Sequence, residues 1–509
     1  MTKYGKRACA LAITVIGFFS VAAHAQQCAT PAATDFYVDK DNASASDSAN
    51  GHYTTTSGGT GPYKTIQHLV DTLQPGQCGW VKASATPYYE NTWENGDYSG
   101  ITFTHGGTSD TQRVFVSGYP GQMPIVDQQR AAATKGYSLA GFFIYSGAYI
   151  TLQNFEVRNT TASGILLNPS GSGLNYINIT GNHVHNMAGT GNPNNVGGIR
   201  IDFCHYCNIT NNIVNNIGDD QGADGINAFQ PGNCVIANNL IYNAAIGVQL
   251  KQADNSGANL NAHDVHANIM ANLNTAAYKM QIQGANSMAA PHNPTFHDNI
   301  VYNVPTAIWT DLQEAGQQAT NLTVYNNTFI NVGRLAGISN FSGVQIYNNI
   351  YVGAASTPGA SPAFIFDTVN PTPWVNQVSY YDNNLYNNIT QSWQIETYNN
   401  PTSYSSLASW RTATREVTTP DLKSQFADPK FSTGALAVTN LLLGSVSDYA
   451  LQAGSPALTM GRNGDTIGAV RPGVSIGPSG TAVLTTGSGT TTPPPAAVIP
   501  NPPSDVTVQ

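Results

Sequence analysis

The chain has 509 residues, a net charge of −9 and only 10% charged residues, against about 25% in an average globular protein. So low a charge content excludes a charged helical bundle, a coiled coil and a solvated disordered chain. The 49 Gly, 28 Pro and 25 Tyr suit strands and turns better than helix interiors. The negative net charge argues against nucleic acid as a partner, because phosphate binding requires a basic surface.

Residues 1–25 have the features of an export signal. Basic residues within the first seven positions precede an apolar run over 8–23, and residues 23–25 read Ala-His-Ala, a typical cleavage pattern. No later apolar run approaches the roughly 20 residues that a membrane-spanning helix needs. We therefore expect a secreted protein, extracellular or periplasmic, without a membrane span, and we expect it to be a monomer.

One eight-residue pattern recurs through the middle of the chain: apolar, two variable, Asn, variable, apolar, variable, Asn. Clear copies are ITGNHVHN at 179–186 and ITNNIVNN at 209–216. The period of roughly 20–35 residues and the alternating, β-branched composition predict an all-β, right-handed parallel β-helix with one copy in each coil. Stacked Asn amides are expected at the fourth positions, which are Asn182, Asn212, Asn239, Asn268, Asn299, Asn327, Asn349 and Asn384.

A second strand precedes each Asn strand, as in GIRID at 198–202 and GVQLK at 247–251. Its second and fourth positions are apolar and are expected inside the coil, whereas its third and fifth positions point outward. The outward third positions are Leu166, Arg200, Asn227, Gln249, Lys279, Trp309 and Ser339. The outward fifth positions are Asn168, Asp202, Phe229, Lys251, Gln281, Asp311 and Phe341. We call these two columns the strip; the alternative is an ordinary solvated strand face.

Domain boundaries follow the repeat. We assign an N-terminal cap and the first coils to 26–140, the coils to 141–400, a C-terminal cap region to 401–472 and a Thr- and Pro-rich tail to 473–509. The stretch TIQHLVDTL at 65–73 has helical spacing and is expected to cover the open coil end, where strand edges would otherwise stay unpaired.

Five cysteines follow the signal, so at least one thiol is left over in an oxidising compartment. Cys28 and Cys78 both lie in the cap region and are candidates for a disulfide. Cys207 and Cys234 are one coil period apart and could pair as well. The alternative is that Cys204 and Cys207 pair locally or bind a metal.

The Asn-punctuated coils, the segment GPYKTIQHLVDTLQPGQ at 61–77 and the ending DYALQAGSPAL at 448–458 resemble secreted right-handed β-helix proteins of the pectate-lyase superfamily. Within it, GDDQGADGINAF at 218–229 resembles polysaccharide lyase family 9, in which an Ala-Asp-Gly sequence follows other acidic residues in a calcium site. The resemblance implies Lys251 as the catalytic base, with Arg200 or Lys279 as alternatives for that role. It also implies a Ca²⁺ ion held by Asp202, Asp219, Asp220 and Asp224.

The same resemblance implies a lyase that cleaves an acidic, uronate-containing polysaccharide such as pectate by β-elimination. Removing the C5 proton requires a neutralised substrate carboxylate, which Ca²⁺ supplies, and a base without its own proton. Nearby positive charge is expected to lower the pKa of Lys251 sufficiently. Substrate contacts are expected from the strip residues Asn227, Phe229, Gln249, Gln281, Trp309 and Asp311.

Three other functions remain open. An inverting glycoside hydrolase would need two carboxylates at a suitable separation, and Asp202 with Asp224 could supply them. A uronate epimerase shares the proton abstraction of a lyase. A non-catalytic polysaccharide-binding or adhesin module would need only the strip, with Trp309, Phe229 and Phe341 as stacking surfaces.

Overall fold

A computed structural model of the chain describes residues 28–478 with internal gaps. The residues outside it are 1–27, 55–57, 92, 95–97, 130–137, 170, 172, 188–195, 219–222, 252–261, 283–290, 313–318, 340, 354–363, 369–377, 390–392, 398–399, 415–420, 433–445 and 479–509. The expected export signal and most of the expected tail therefore lie outside the described residues.

Within the described residues, twelve strands form the first face of the molecule, and each pairs in parallel with the strand of the next coil. In the six strands from Asn178–Thr180 to Thr323–Tyr325 the central residue is apolar and buried, as alternation in a strand predicts. The strands are Phe36–Val38, Cys78–Val81, Val114–Gly118, Ile150–Gln153, Asn178–Thr180, Asn208–Thr210, Val235–Ala237, Asp264–His266, Thr295–His297, Thr323–Tyr325, Val344–Tyr347 and Val378–Asp382.

A second and a third face belong to one 22-stranded sheet, because Ile300–Leu312 and Thr328–Ser339 run through both. The second face also contains Ile125–Asp127, Glu156–Arg158, His183–Met187, Ile213–Ile217, Leu240–Ala244, Ile269–Ala271, Ile350–Val352, Leu385–Asn387 and Gln425–Phe426. The third face also contains Tyr98–Phe103, Ser138–Ile144, Ile165–Leu167, Val196–Asp202, Ala223–Phe229, Ile246–Lys251, Ala276–Ile282, Phe364–Thr368 and Trp393–Thr397, with antiparallel partners Trp93–Glu94 and Asn400–Tyr404.

Successive coils thus add one strand to each of three parallel faces, and the predicted all-β parallel β-helix is confirmed. Short strand pairs connect some of the turns: Leu174–Asn175 with Cys204–His205, and Ala319–Thr320 with Phe341–Ser342.

The predicted stack of Asn side chains is confirmed from Asn182 to Asn384. The backbone N–H and the Nδ2 of each member donate to the Oδ1 of the next, as when Asn212 donates to Asn239 at 2.9 and 3.1 Å. The same pair of bonds recurs in each step from Asn182 to Asn384. We call these eight residues the Asn ladder.

The coil interior is apolar. The side chains predicted to fill it are almost completely buried and belong to one apolar cluster that runs through the coils. They are Ile199, Ile201, Ile226, Val248, Leu250 and Met280. The predicted inward register of the third-face strands is therefore confirmed, since a slip by one residue would have reversed every side chain.

The register prediction is wrong in the last coil of the strip. Trp309 pairs with Gly337, whereas Ser339 was expected opposite it. Phe341, expected as an outward stacking surface, is buried in the coil interior. The long strand Thr328–Ser339 continues from the second face without a break, so the register follows the 28-residue separation of Asn299 and Asn327.

Within the described residues, two α-helices lie near the ends of the coil stack. Helix α1, Ile66–Thr72, is capped at Thr65 and turns Ile66, Leu69 and Val70 into the interior cluster, which confirms the predicted helix. Helix α2, Leu407–Thr414, buries Trp410 against Trp393 with ring centroids 6.0 Å apart.

The C-terminal segment covers the outside of the second face. Outward apolar residues of that face, among them Ile269 and Ile300, form a second apolar cluster with Tyr449, Ile467 and other residues that follow 430. Short 3-10 helices occur here at Val446–Tyr449, Pro456–Leu458 and Arg462–Gly464. The segment therefore packs along one side of the β-helix, because that side presents apolar side chains to it.

The described part of the chain contains two disulfides. Cys28 pairs with Cys78, as predicted. Cys204 pairs with Cys207, so the local alternative holds and Cys234 is a buried free thiol. Cys207 and Cys234 do occupy neighbouring coils, since Val235 N donates to Cys207 O. Cys207 nevertheless forms its disulfide with Cys204, three residues before it. Within the described ranges, no helix has the length and apolar character needed to cross a membrane.

Candidate functional site

The strip lies on the outside of the third face, in the register that the sequence predicts over five coils. The third positions run from Arg200 to Asn227, Gln249, Lys279 and Trp309 by direct strand pairing. The fifth positions run from Asp202 to Phe229, Lys251, Gln281 and Asp311 in the same way. Side chains from distant parts of the sequence thus meet at the spacing of paired strands, about 4.8 Å.

Unlike a solvated strand face, the strip is largely buried. Asn227 and Gln249 are 1% and 2% exposed, and Lys279 is 8% exposed. An amide chain joins three coils: Asn227 Nδ2 donates to Gln249 Oε1 at 3.1 Å, and Gln249 Nε2 donates to Gln281 Oε1 at 2.8 Å. These amides keep the neighbouring side chains in fixed positions.

Arg200 and Asp202 form an ion pair on the second coil of the strip, where Arg200 pairs with Leu166 of the first coil. The guanidinium donates Nε to Oδ1 at 3.0 Å, and Nη2 lies 2.7 Å from Oδ2. Burial raises the pKa of Asp202, while Arg200 opposes the shift. Both carboxylate oxygens of Asp202 therefore face the arginine, which holds the guanidinium in place.

Asp224 reaches the strip because the strand bends at Gly225. Ala223 and Ile226 both belong to the interior cluster although they are three positions apart, which requires a break in strict alternation. A Cβ atom on Gly225 would lie 2.3 Å from Ile241 Cγ2, so only glycine fits this corner. The bend places the carboxylate of Asp224 beside Asn227, whose Nδ2 donates to Asp224 Oδ2.

Two buried acceptor atoms at this point lack a partner. Among the described residues, nothing donates a hydrogen bond to Asp224 Oδ1 or to Asn227 Oδ1. Burial raises the pKa of Asp224 to about 7, against the lowering influence of the Asn227 bond and of Lys251 and Lys279. Unpaired buried oxygens are costly, and they are what a hard cation or a hydroxyl-rich ligand would satisfy.

Lys251 is half-buried two coils from Arg200 and one coil from Lys279. Its pKa is lowered chiefly by burial; Asp224 opposes that shift, and Arg200 and Lys279 lower the pKa further. The expected direction holds, and Arg200 and Lys279 contribute to it as expected, but desolvation, which was not expected, is the larger cause. A lysine in such surroundings loses its proton more readily than one in water.

Aromatic rings flank the charged residues. The ammonium group of Lys279 lies 4.2 Å from the ring centroid of Trp309. Phe229 meets Phe203 edge to face, with centroids 5.2 Å apart, and Phe203 is 36% exposed. Trp309 and Phe229 are partly exposed, so they remain available for contact with a ligand.

The predicted calcium site lies only in part within the described residues. Asp219 and Asp220 lie outside the described residues, as does the side chain of Asp311. Of the two remaining candidate ligands, Asp202 is paired with Arg200, and Asp224 retains an unpartnered oxygen. The four-carboxylate cluster therefore stays a prediction.

Two histidine clusters were not predicted as sites. Within the part of the chain that the structure describes, Glu156, His183 and His185 form one, and Asp264, His266 and His297 form the other. In each, possible ligand atoms lie within 4.8 Å of one another. The sequence signal is a pair of ligand residues two apart on one strand; the third member comes from a neighbouring coil, which only the register reveals.

No protein-family model matches the chain, and no curated protein matches it. Solved structures with a similar fold include XylC in complex with xylose, at 10% identity and TM-score 0.45, covering 78% of this chain and 87% of that one. Pectate lyase Pel9A gives 12% identity and TM-score 0.44, with 86% and 95% covered.

A third similar structure is a GH136 lacto-N-biosidase from Eubacterium ramulus, at 10% identity and TM-score 0.39, covering 77% of this chain and 67% of that one. These likenesses concern the fold alone. The strand pairing within this chain, three parallel faces joined coil by coil, identifies it as a parallel β-helix protein.

Proposed function

We propose that the protein is a secreted polysaccharide lyase that cleaves an acidic, uronate-containing polysaccharide by β-elimination on the strip. The observation that carries the proposal is Lys251, a half-buried lysine whose pKa is lowered. It lies on the outward face of the coils that also presents Arg200 and the buried amide of Gln249. An extended sugar chain running across the coils would meet a new strip residue at each strand spacing.

In this proposal Lys251 acts as the base. Its neutral amine takes the proton from C5 of a uronate unit, a double bond forms between C4 and C5, and the bond from C4 to the glycosidic oxygen breaks. The departing oxygen takes a proton from water. Arg200, held by Asp202 at 2.7 Å, has the planar donors that recognise a carboxylate, which suits it to bind the substrate's acid group.

The buried oxygens near Asp224 fit a calcium ion. Asp224 Oδ1 and Asn227 Oδ1 lack donors within the described ranges, and Ca²⁺ prefers carboxylate and amide oxygens. Asp224, with Asp219 and Asp220 from the adjoining segment, would hold the ion, and Asp202 is committed to Arg200 in its absence. When bound, Ca²⁺ neutralises the substrate carboxylate and so acidifies C5.

The raised pKa of Asp224, about 7, favours an inverting hydrolase as a second candidate. A carboxyl group that keeps its proton near neutral pH can serve as a general acid. A hydrolase of this kind needs a second carboxylate as base, and Asp202 would have to separate from Arg200 to act. A lyase requires no such rearrangement.

Incubation with polygalacturonate, alginate and glucuronan, with and without chelator, tests the proposal. A lyase produces unsaturated ends that absorb ultraviolet light, and chelation should stop their formation. New reducing ends without ultraviolet absorbance would instead support the hydrolase. Binding without either product would identify a polysaccharide-binding module, and altered uronate configuration without cleavage would identify an epimerase.

A further inference from the structure

A second set of chemically active side chains lies on the first face, away from the strip. Asp264 and His266 stand two apart on one strand, with the interior residue Val265 between them, so both point outward. His297 is the direct partner of His266 on the next coil. Three potential metal ligands, one carboxylate and two imidazoles, therefore meet on the outside of two coils.

The distances suit a small divalent ion. His297 Nε2 lies 2.9 Å from Asp264 Oδ1, and His266 Nδ1 lies 3.1 Å from Asp264 Oδ2. Ligand atoms of a tetrahedral zinc ion are separated by about 3.3 Å, because zinc bonds to nitrogen and oxygen are about 2.0–2.1 Å long. Two of the three separations thus require only a small adjustment.

The orientation of the first imidazole is set by a second carboxylate. His297 Nδ1 lies 2.8 Å from Asp298 Oδ2, and Asp298 is in turn bound by Arg471 from the C-terminal segment. Thr295 Oγ1 donates to Asp264 Oδ1 at 2.8 Å. Metal-binding histidines typically give their other nitrogen to a carboxylate in this way, and ligating carboxylates are themselves hydrogen-bonded.

One nitrogen of the second imidazole faces the Asp264 carboxylate without a well-aligned hydrogen bond. His266 Nδ1 is buried and makes no hydrogen bond of acceptable geometry within the described ranges, although the Asp264 carboxylate is close. The rings of His266 and His297 stack with centroids 4.9 Å apart and planes 8° apart. A shared ion requires the two rings to tilt toward each other, and Asp264, a third exposed at its side chain, leaves room for the ion to enter.

The other histidine cluster fits a cation less well. Arg158 Nη1 lies 2.8 Å from Glu156 Oε1, so a fixed positive charge occupies the carboxylate. His183 Nε2 lies 2.8 Å from Asn215 Oδ1 and is committed to that amide. This cluster also combines one carboxylate with two imidazoles, but its carboxylate and one imidazole are already held by Arg158 and Asn215, which makes it a matched control.

We propose that Asp264, His266 and His297 bind one divalent transition-metal ion of the zinc class, with Asp298 as the residue that orients His297. Two imidazoles and one carboxylate favour such an ion over Ca²⁺, which prefers oxygen ligands alone. Three protein ligands leave a fourth position for water or another small ligand. The site is separate from the strip and does not depend on the proposed lyase activity.

Titration of the full-length, chelator-stripped protein with Zn²⁺ alone tests the proposal, by calorimetry and by competition with a chromophoric chelator. We expect one ion per chain and no displacement by excess Ca²⁺. His266→Ala and His297→Ala should each lower the affinity about 100-fold or more, and Asp298→Asn should lower it about 10–100-fold. His183→Ala and His185→Ala should leave it unchanged.

Because loss of a stacked ring could disturb the fold, each variant is also checked by circular dichroism, and His266→Gln provides a second, less disruptive change. Co²⁺ in place of Zn²⁺ should give visible absorption bands that disappear in His266→Gln. The proposal is overturned if Zn²⁺ does not bind, if folded His266→Gln and His297→Ala bind normally, or if His183→Ala abolishes binding.

Discussion

The Asn ladder and the strip are both columns of polar side chains repeated over successive coils, but they differ in how completely their hydrogen bonds are made. In the ladder, Asn239 Nδ2 donates to Ile209 O and to Asn268 Oδ1, and its Oδ1 accepts two bonds from Asn212. At the strip, Asn227 Oδ1 and the adjacent Asp224 Oδ1 are buried without a donor among the described residues.

The difference separates stability from function. A buried polar column whose members all bond one another stabilises the coil stack, because breaking it would leave several groups unsatisfied at once. A buried polar column with unpaired oxygens and a lysine of lowered pKa lowers the free energy of unfolding. Perturbed groups of this kind are typical of ligand sites. The following experiments test whether the two columns divide these roles.

The largest effect is expected from Lys251→Ala. Loss of a general base typically lowers turnover by about 10²–10⁴-fold, and removal of one half-buried charge should not lower the free energy of unfolding much. The measurement is the rate of ultraviolet-absorbing product from the acidic polysaccharide that the protein cleaves. Lys423→Ala, at an exposed lysine, is the matched control and should retain activity. Near-normal turnover of Lys251→Ala with inactive Arg200→Ala or Lys279→Ala would transfer the role to one of those residues.

Asn239→Ala should unfold at a lower denaturant concentration, with a loss of about 3 kcal/mol or more, because several buried groups lose their partners together. Asn243→Ala is the matched control. Asn243 belongs to an exposed Asn column and makes one side-chain bond, to Asn216, with φ of 52°; we expect a loss of about 1–2 kcal/mol. Equal losses of unfolding free energy at both positions would show that the buried ladder stabilises the protein no more than the exposed Asn column does.

Asp224→Asn should behave in the opposite way. Burial raises the pKa of Asp224 to about 7, so the wild-type protein loses stability as the pH rises from about 4 through 7 and the buried carboxylate ionises. The amide has no such charge. In calcium-free buffer at pH 8 the variant should therefore be at least as stable as wild type by denaturant unfolding, while its activity falls. A clear loss of stability would show that Asp224 stabilises the fold, as the Asn ladder does, and would contradict its assignment to a ligand site.

The smallest effect concerns pH. Lys279→Met removes a positive charge that lowers the pKa of Lys251, and the apolar stem can still cover Trp309. The pKa of Lys251 should rise, which moves the rising limb of kcat/KM to higher pH. Lys423→Met serves as the control. An unshifted profile with reduced activity would mean that Lys279 binds substrate and does not tune the base.

The fold was predictable because its signals are local and repeated. The Asn at the fourth position of each copy gave the coil period, and alternation within GIRID and GVQLK gave the side of the sheet on which Arg200 and Lys251 lie. Where the coil length varies, the prediction was wrong. The apolar positions around Ser339 suggested that Ser339 lies beside Trp309, but backbone pairing follows the Asn spacing and places Gly337 there.

The sequence by itself determined the parallel β-helix and the inward and outward side chains of the strip up to Trp309, and it named Cys28 and Cys78 as candidates for a disulfide. Only the tertiary structure decided that the strip is buried, that Asp202 faces Arg200, that Cys204 pairs with Cys207 and that His297 meets His266 and Asp264. Periodicity fixes which way a side chain points. Burial, pKa and partner choice depend on what other coils and the C-terminal segment place beside it, and that information is spread over residues far apart in the chain.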